Sequence, residues 1–484
     1  MNHTGSTLRG SIFVLLALFL FPATSIAEHF DKNPFPSTYQ ASTAADTAIV
    51  GAHILTGDGG EIESGYVIIR QGLITAIGTG QIPASEAPVS QIIDGSNQWL
   101  TPGIIDVHSH LGNYAAPGYA AHSDGNEATS PVTAEVWTEH SVWPQDPQFP
   151  LALAGGVTTL QILPGSANLI GGRSVVLKNV SSRTVQGMKF PNAAYGLKMA
   201  CGENPKRVYG SKGSGPSTRM GNVAGYRKSW IKAASYKAKW EKYDQELTAF
   251  LAAENAEKTE QDGKDDKNDT KEPTKPERDL ELDTLAGVLA GEIRVHNHCY
   301  RADEMAQMID ISKEFGYQIT SFQHAVEAYK IADLLAENGI CSAMWADWTR
   351  FKLESFDGID ENIALVDKAG ACAIVHSDSP WGIQRLNQEA AKAMAAGNRM
   401  GMALTRAHAM QWLSLNPAKS LGIDDRTGSI ALNKMADLVL WTADPFSVYS
   451  RAGKVMIDGV LVYDLSTGLK PVTDFELGLR VREL

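Results

Sequence analysis

Short apolar runs alternate with longer amphipathic stretches through the middle of the chain. Eight of these runs predict buried strands, and most are followed by apolar residues at helical spacing, as in RADEMAQMIDISKEFG at 301–316. The runs are GIIDVHSH, GVTTLQIL, SVVLKNV, YGLKMA, IRVHNH, YQITSFQH, GICSAMW and ACAIVHSD. Eight strands alternating with helices predict an α/β fold, a parallel (β/α)8 TIM-like barrel, which gathers the carboxyl ends of its strands at one face.

A different pattern, short alternating strands with tight turns, flanks this region. Residues 46–100 contain YVIIRQGLITAIG and a turn at Asp58-Gly59-Gly60, which indicate antiparallel strands. The same pattern returns in GSIALNKMADLVLW and GKVMIDGVLVYD. Neither segment is large enough to form a stable sheet alone. We therefore predict that residues 28–103 and 428–484 build one small β-sandwich domain, formed by the N- and C-terminal segments, beside a barrel at 104–427.

The first residues predict export. A short start containing Arg9 precedes the apolar run SIFVLLALFLF, and PATSIA follows with small residues at Ser25 and Ala27. The apolar run is too short to span a bilayer as a mature helix. It predicts a cleaved signal peptide at 1–27, with an uncleaved anchor as the alternative. The mature protein is then periplasmic or secreted and has no membrane segment.

Charge and cysteine content narrow the picture further. The formal net charge of −12 argues against nucleic acid as a partner. A run of Lys, Asp and Glu at about 255–280, inserted between the fourth and fifth strands, predicts a solvated excursion from the barrel. The four cysteines do not form a disulfide framework pattern. Export permits a Cys341–Cys372 disulfide, which the sequence alone does not assign.

Residues of the types that bind metal ions lie at the ends of the predicted strands, where barrel active sites are built. Alternate side chains of a strand point the same way, so His108 and His110 face one side together. Imidazole and carboxylate groups are ligands of first-row divalent metals. The candidates at the strand ends are His108, His110, Lys198, His296, His298, His324 and Asp378.

These motifs resemble those of the amidohydrolase superfamily of metal-dependent hydrolases, in the branch with imidazolonepropionase-like and Xaa-Pro dipeptidase-like members. The similarity covers about 50–470 and is carried by PGIIDVHSH, AGGVTT, HCYRADEM, QHAVEA, HSDSP, NPAKSLGI and GSIALNKMADLVLW. The resemblance implies that His108 and His110 hold the more buried metal, with Asp378 as a further ligand. His298 and His324 would hold a second metal or, in a single-metal site, the same ion or the substrate.

The fourth strand decides how many ions the resemblance implies. Many binuclear relatives bridge two metals there with a carboxylated Lys or a Glu. An ammonium group has no lone pair for a cation, whereas Lys198 as a carbamate would bridge. Glu203 is the alternative bridge. We expect one or two divalent ions per chain, with two favoured; zinc is the default, and iron or manganese suit the same ligands.

The resemblance also implies a reaction, hydrolysis of a C–N bond in an amide, a cyclic amide or a small peptide. Metal lowers the pKa of bound water to roughly 7. Asp378 would take the proton of that water and pass it to the leaving nitrogen, and His324 or His298 would help to polarise the carbonyl. The alternatives are a lactone or phosphoester hydrolase on the same site and an inactive solute-binding barrel.

The expected partners follow from this reaction. The substrate is a small molecule or a short peptide, and a homo-oligomer is compatible with the sequence. Three arginines in or near the predicted loops are candidates to receive a substrate carboxylate, and the sequence does not choose among them: Arg173, Arg207 and Arg219.

Overall fold

The computed structural model describes residues 32–86, 88–259 and 271–469. The signal peptide predicted at 1–27 lies outside the described residues, as do 260–270 of the charged insertion and the chain after 469. The proposed domain boundaries stay predictions.

Two eight-stranded sheets contain the strands of the described residues. In chain order the strands are β1 (Thr47–Leu55), β2 (Glu61–Arg70), β3 (Leu73–Thr79), β4 (Gln91–Asp94), β5 (Trp99–Pro102), β6 (Ile104–Ser109), β7 (Val157–Ile162), β8 (Ile170–Lys178), β9 (Gly196–Ala200), β10 (Arg294–Cys299), β11 (Ile319–His324), β12 (Cys341–Met344), β13 (Cys372–Val375), β14 (Leu438–Trp441), β15 (Ala452–Ile457) and β16 (Val460–Asp464). The helices are α1 (Gln148–Ala154), α2 (Glu203–Gly210), α3 (Arg219–Thr259), α4 (Leu280–Leu289), α5 (Ala302–Phe315), α6 (Ala332–Glu337), α7 (Asn362–Lys368), α8 (Leu386–Arg399), α9 (Arg406–Met410) and α10 (Leu415–Leu421).

Strands β6 to β13 form the barrel in sequence order, and each coincides with one of the eight predicted apolar runs. The barrel closes without a direct ladder between its first and last strands. The segment between α9 and α10 lies between them instead: Val375 N donates to Trp412 O (3.0 Å), and Ile105 N donates to Leu413 O (2.9 Å). The predicted α/β fold class is thereby confirmed, with a barrel that is nearly closed.

One strand departs from the parallel arrangement that the sequence predicted. Strand β8 pairs antiparallel with both β7 and β9, whereas the other neighbouring pairs of the barrel sheet are parallel. Only residues 163–169 connect β7 to β8. A parallel crossover needs a dozen or more residues, so this connection is long enough only for a hairpin. The predicted apolar run begins at Ser174, whereas the strand begins at Ile170, so the predicted connection is longer than the observed one.

The N- and C-terminal segments meet in the second sheet, which has the strand order β16-β15-β14-β5-β1-β2-β3, with β4 also paired to β1. The decisive contact is the antiparallel pairing of β5 with β14, which places Leu438 opposite Pro102 and Leu440 opposite Leu100. The two segments therefore share one hydrogen-bonded sheet. Its apolar side chains form a common cluster with members from both segments, among them Ile54, Val67, Leu100, Leu438 and Met456.

The insertion between β9 and β10 begins as the long helix α3 and returns through α4. Trp230 and Tyr236 of α3 are buried, because they pack against the barrel and α4. No helix among the described residues combines the length and the apolar character needed to cross a membrane.

Both cysteine pairs of the structure are disulfides between neighbouring barrel strands. Cys341 and Cys372 stand opposite each other on β12 and β13. Cys201 follows β9 and is bonded to Cys299 at the end of β10. The sequence had left the Cys341–Cys372 pairing open, and it gave no signal for the second bond.

A buried lysine joins the barrel to the second sheet. Lys178, the last residue of β8, has a fully buried side chain, and its Nζ lies 2.7 Å from both carboxylate oxygens of Asp458. Asp437, just before β14, lies 3.5 Å from the same nitrogen. A cation and two acids that are removed from water depend on each other for compensation. This cluster therefore fixes the second sheet against the end of a barrel strand.

Replacing Lys178 with Met should destabilise the protein by about 3–5 kcal/mol, because two buried carboxylates lose their cation. The urea midpoint of unfolding measures the effect, and combining the change with Asp458→Asn should recover part of the loss. Arg227→Met, which removes an exposed pair with Glu314, is the control and should leave the midpoint nearly unchanged. Equal midpoints for Lys178→Met and wild type would contradict the prediction.

Candidate metal centre

The barrel brings six of the seven candidate residues together at one end of the sheet. His108, His298 and His324 stand at the carboxyl ends of β6, β10 and β11, and Lys198 stands near the end of β9. His110 and Asp378 follow β6 and β13. Parallel strands place their carboxyl ends together, which explains how residues separated by 270 positions meet.

Hydrogen bonds fix the ring orientation of the first two histidines. His108 Nδ1 donates to Gln323 Oε1 (3.0 Å), since the amide nitrogen of Gln323 is itself a donor to Ser321. His110 Nδ1 donates to the carbonyl oxygen of Leu163 (2.9 Å). Each ring therefore carries its proton on Nδ1 and presents the Nε2 lone pair, which is the form that ligates a metal.

Asp378 faces both of these lone pairs. Its Oδ1 lies 3.2 Å from His110 Nε2 and 3.5 Å from His108 Nε2, and its Oδ2 lies 3.9 Å from His324 Nδ1. Burial raises the pKa of Asp378, but its contact with His110 and the positive charge of Lys198 outweigh burial, so the pKa lies below its ordinary value. His108, His110 and Asp378 form one group that is compact enough to hold a metal ion.

His324 and His298 lie next to His108 and extend the histidine cluster across the barrel. The ring centroids of His108 and His324 are 4.7 Å apart, and those of His324 and His298 are 4.5 Å apart. Neither ring nitrogen of His298 has a hydrogen-bond partner among the described residues, although the side chain is buried. A buried imidazole with both nitrogens free of partners is costly, and a metal ion or a substrate polar group would satisfy it.

Burial also keeps these histidines in the ligating form. It holds the pKa of His108, His298 and His324 well below the ordinary value of an imidazole, and nearby positive groups lower it further. A neutral imidazole has the lone pair that a metal needs, so the donor set fits a divalent ion.

The structure distinguishes the environments of the two candidate bridging residues. Lys198 is buried, with Nζ 3.4 Å from His108 Nε2 and donating to Pro164 O at 3.1 Å. Burial lowers the pKa of Lys198 to about 7, although the charge of Asp378 acts to raise it. Glu203 is the first residue of α2, and its carboxylate lies 3.6 Å from Lys352 Nζ. It belongs to neither compact ligand group found among the described residues.

A buried carboxylate aligns the ligands from β6 and β13. Asp106 accepts hydrogen bonds from the Ser377 hydroxyl, from Ser377 N (3.2 Å) and from His108 N (3.1 Å). Asp378 N donates to His108 O (3.0 Å) beside it. Burial raises the pKa of Asp106 to about 7, against these hydrogen bonds, which lower it.

His376 is a site residue that the sequence analysis did not select. It forms a further compact group with His108 and His324, and its Nε2 lies 3.1 Å from His324 Nδ1. The signal was present, because His376 and Asp378 alternate in HSDSP as His108 and His110 do in DVHSH. Asp106 was marked by the same alternation, since it faces one side with His108 and His110 in DVHSH. Gln323 carried no comparable signal, since a single polar residue in a strand is common.

The entrance to the site is wide and partly aromatic. A cavity of about 1080 Å³ reaches Asp378 and is lined by Trp348, Trp381 and the side of α8. Within the histidine cluster, the buried ring of Trp345 stacks on His324 with centroids 4.4 Å apart. Arg219, a candidate to receive a substrate carboxylate, is already paired with Glu304 (2.9 Å) and with Glu354.

Similarity to known proteins decides the family. A solved amidohydrolase structure from Thermotoga maritima MSB8 is 34% identical, with a TM-score of 0.72, and the match covers 86% of this chain and 100% of that one. The chain belongs to the amidohydrolase family. The family model described as "Amidohydrolase family" matches residues 288–462. The predicted family is confirmed.

Two further comparisons put limits on this amidohydrolase assignment. The amidohydrolase tasK of Hapsidospora irregularis is 32% identical over 415 residues, which cover 83% of this chain and 40% of tasK. The chain thus spans less than half the length of that curated relative. The structure of molinate hydrolase is 16% identical with a TM-score of 0.50, so it supports the amidohydrolase fold alone.

Gln323 should be a positioning residue of this amidohydrolase. Gln323→Ala removes the acceptor that fixes the proton of His108 on Nδ1, so zinc affinity should fall by about 10–100-fold. Competition with a chromophoric chelator measures that affinity. Gln318→Ala is the matched control, because the side chain of Gln318 is exposed and donates to the carbonyl oxygen of Asn338. This variant should bind zinc like wild type. Unchanged affinity in Gln323→Ala would show that this bond does not orient His108.

Proposed function

We propose that this chain is a metal-dependent hydrolase that cleaves a C–N bond in an amide, a cyclic amide or a small peptide. The observation that carries the proposal is the convergence of His108, His110 and Asp378 with His298, His324 and Lys198 at one end of the barrel. The amidohydrolase family supports the reaction class. The bond type and the substrate belong to the proposal.

The donor set suits a divalent metal, and zinc is the ion we propose. His108 and His110 would hold the more buried ion with Asp378, while His298 and His324 would hold the second. A divalent ion bound there lowers the pKa of a coordinated water to roughly 7 and polarises a carbonyl group. The supporting observations are the Nε2 lone pairs fixed by Gln323 and Leu163 O and the free ring nitrogens of His298.

Asp378 is proposed to move the proton of the reaction. Its carboxylate stands between the imidazoles of the site and reaches the entrance cavity. It accepts one proton from the attacking water while the oxygen adds to the carbonyl carbon, and it delivers that proton to the nitrogen as the C–N bond breaks. In a single-metal site His324, held by its stacking on Trp345, would instead contact the substrate carbonyl.

We further propose that Lys198 bridges two metals as a carbamate. Its Nζ stands 3.4 Å from the Nε2 that would bind the inner ion, so an ammonium there would face the ion directly. Two cations at short distance repel and need an anion between them. The ammonium of Lys198 first loses one proton to solvent. The neutral nitrogen then bonds to carbon dioxide, the co-reactant, and releases a second proton to solvent, which leaves an anionic carbamate.

Export to the periplasm or the medium is also proposed, on the basis of the sequence pattern of residues 1–27. An exported enzyme would receive its small-molecule or short-peptide substrate outside the cytoplasm, and the two disulfides suit an oxidising compartment. N-terminal sequencing of the mature protein tests the cleavage; an intact Met1 would contradict it.

The reaction class is tested by a substrate panel and one acid variant. Metal-loaded protein should hydrolyse dipeptides or hydantoin-like rings in preference to lactones and phosphotriesters. Asp378→Asn should lower kcat about 10²–10⁴-fold, since it removes the proton carrier. Asp347→Asn is the control: Asp347 lines the same entrance but pairs with Lys392 (2.8 Å), so activity should change little.

Metal content is measured on every sample of that panel. A wild-type protein that binds no metal, or full activity in Asp378→Asn, would overturn the proposal. Hydrolysis of lactones or phosphotriesters alone would assign the site to another bond class, and a metal-bound protein inactive on the whole panel would favour a solute-binding barrel.

The number of ions is tested at the fourth barrel strand. Wild type should hold two ions per chain, and bicarbonate labelled with ¹³C should give a carbamate signal. Lys198→Ala should lose the second ion and most of the activity, with partial rescue by acetate or propionate. His108→Ala should lose both ions.

Two ions retained in Lys198→Ala, with one lost in Glu203→Ala, would make Glu203 the bridge. One ion in wild type, unaffected by either change, would make the site mononuclear.

A further inference from the structure

A second cavity lies on the outer side of the barrel, away from the histidine cluster. Its volume is about 490 Å³, which is within the range of small-molecule sites. It is enclosed by the residues that precede β9 and β10 and by the insertion helices α3 and α4. The side chains that form most of its apolar wall are Tyr195, Ile293, Tyr236, Trp240, Ala286 and Ala290.

Arg173 of β8 also lines this cavity. In the pairing of β8 with β9, Gly172 stands opposite Lys198 and Arg173 stands opposite Leu197. Lys198 points into the barrel toward His108, and side chains alternate along a strand, so Arg173 points outward. Arg173 is therefore no candidate for a substrate carboxylate at the metal centre, although the sequence left that role open. Its side chain is nonetheless buried, with 7% of the residue exposed.

The guanidinium group of Arg173 lacks a carboxylate partner. Its Nε donates to Thr284 Oγ1 (2.9 Å), and its central carbon lies 4.1 Å from the ring centroid of Trp137. Among the described residues, no carboxylate lies within ion-pair distance of it. Three other cations in the same lining are each paired with an acid: Lys32 with Glu292, Lys237 with Glu241 and Arg278 with Asp283.

A buried cation without a counter-ion is costly, and the carboxylate of a bound ligand would supply the counter-charge that Arg173 lacks. The planar guanidinium offers paired N–H donors, whose geometry matches a carboxylate. The three cation–acid pairs of the lining are each neutral, so Arg173 supplies one uncompensated positive charge, which suits a ligand with a single negative charge. The aromatic and aliphatic wall suits an apolar body, which would stack beside Tyr236 and α4.

We propose that this cavity binds a small monoanionic carboxylic acid with an aromatic or apolar body, whose carboxylate pairs with Arg173. The site is separate from the metal centre, since the two sites lie on opposite faces of strands β8 and β9. Binding at this cavity does not depend on the hydrolase activity.

Calorimetric titration of the metal-loaded full chain with phenylacetate tests the site. Wild type should bind one equivalent, and Arg173→Met should bind at least tenfold more weakly. Phenylacetamide, which has the same body without the charge, should also bind at least tenfold more weakly to wild type. Lys237→Met is the matched control: it removes a cation from the same lining that already has a partner in Glu241, and affinity should stay within twofold.

A second variant keeps the result interpretable if Arg173→Met unfolds. Ala286→Leu leaves every charge in place and fills the cavity, so it should abolish binding of phenylacetate while metal content and hydrolysis stay as in wild type. The absence of saturable binding to wild type would overturn the proposal. So would unchanged affinity in both Arg173→Met and Ala286→Leu, because the ligand would then occupy another site such as the metal centre. Inorganic phosphate binding as tightly as phenylacetate would overturn the stated ligand class.

Discussion

The buried carboxylate of Asp106 is the contact on which the metal centre depends. The first and last barrel strands share no direct ladder, so the ends that carry His108 and Asp378 need another connection. Asp106 supplies it by accepting hydrogen bonds from the backbone of His108 and from both the backbone and the hydroxyl of Ser377. The separation between the two ligand-bearing segments is thus determined by this buried side chain together with the hydrogen bond from Asp378 N to His108 O. The positions of the ligands follow from this connection and from the parallel strands between them.

Much of the barrel was predictable because its physical signals are local. Each strand is a short apolar run, and a parallel barrel brings strand ends together however far apart they are in sequence. The convergence of His108, His298, His324 and Asp378 therefore followed from the strand pattern together with the family resemblance. The pairing of β5 with β14 was accessible for a related reason, since each segment was too small to bury its apolar face alone.

Other features were not predictable because they depend on distances across the fold. The direction of β8 was misjudged, since the sequence pattern does not mark where a strand begins to within a few residues. His376 was overlooked beside Asp378, although the two alternate in the same short motif. The partners that orient the ligands, Gln323 and Leu163 O, are recognisable only when their distances to the histidine rings are known. The cavity beside Arg173 likewise arises from α3 and α4, whose path the charged insertion did not reveal.

The reversed direction of β8 has a consequence for how the active-site rim can vary. In an all-parallel barrel, the connections at the catalytic face lead from strands to helices and tolerate changes in length. Here one of those connections is the tight turn of a β-hairpin, residues 163–169, and its carbonyl groups hold the side chains of His110 and Lys198. A change in the length of this turn would displace both carbonyls together. A change in this connection therefore alters the metal centre itself, whereas the other loops of the rim can change in length without moving these two carbonyl groups.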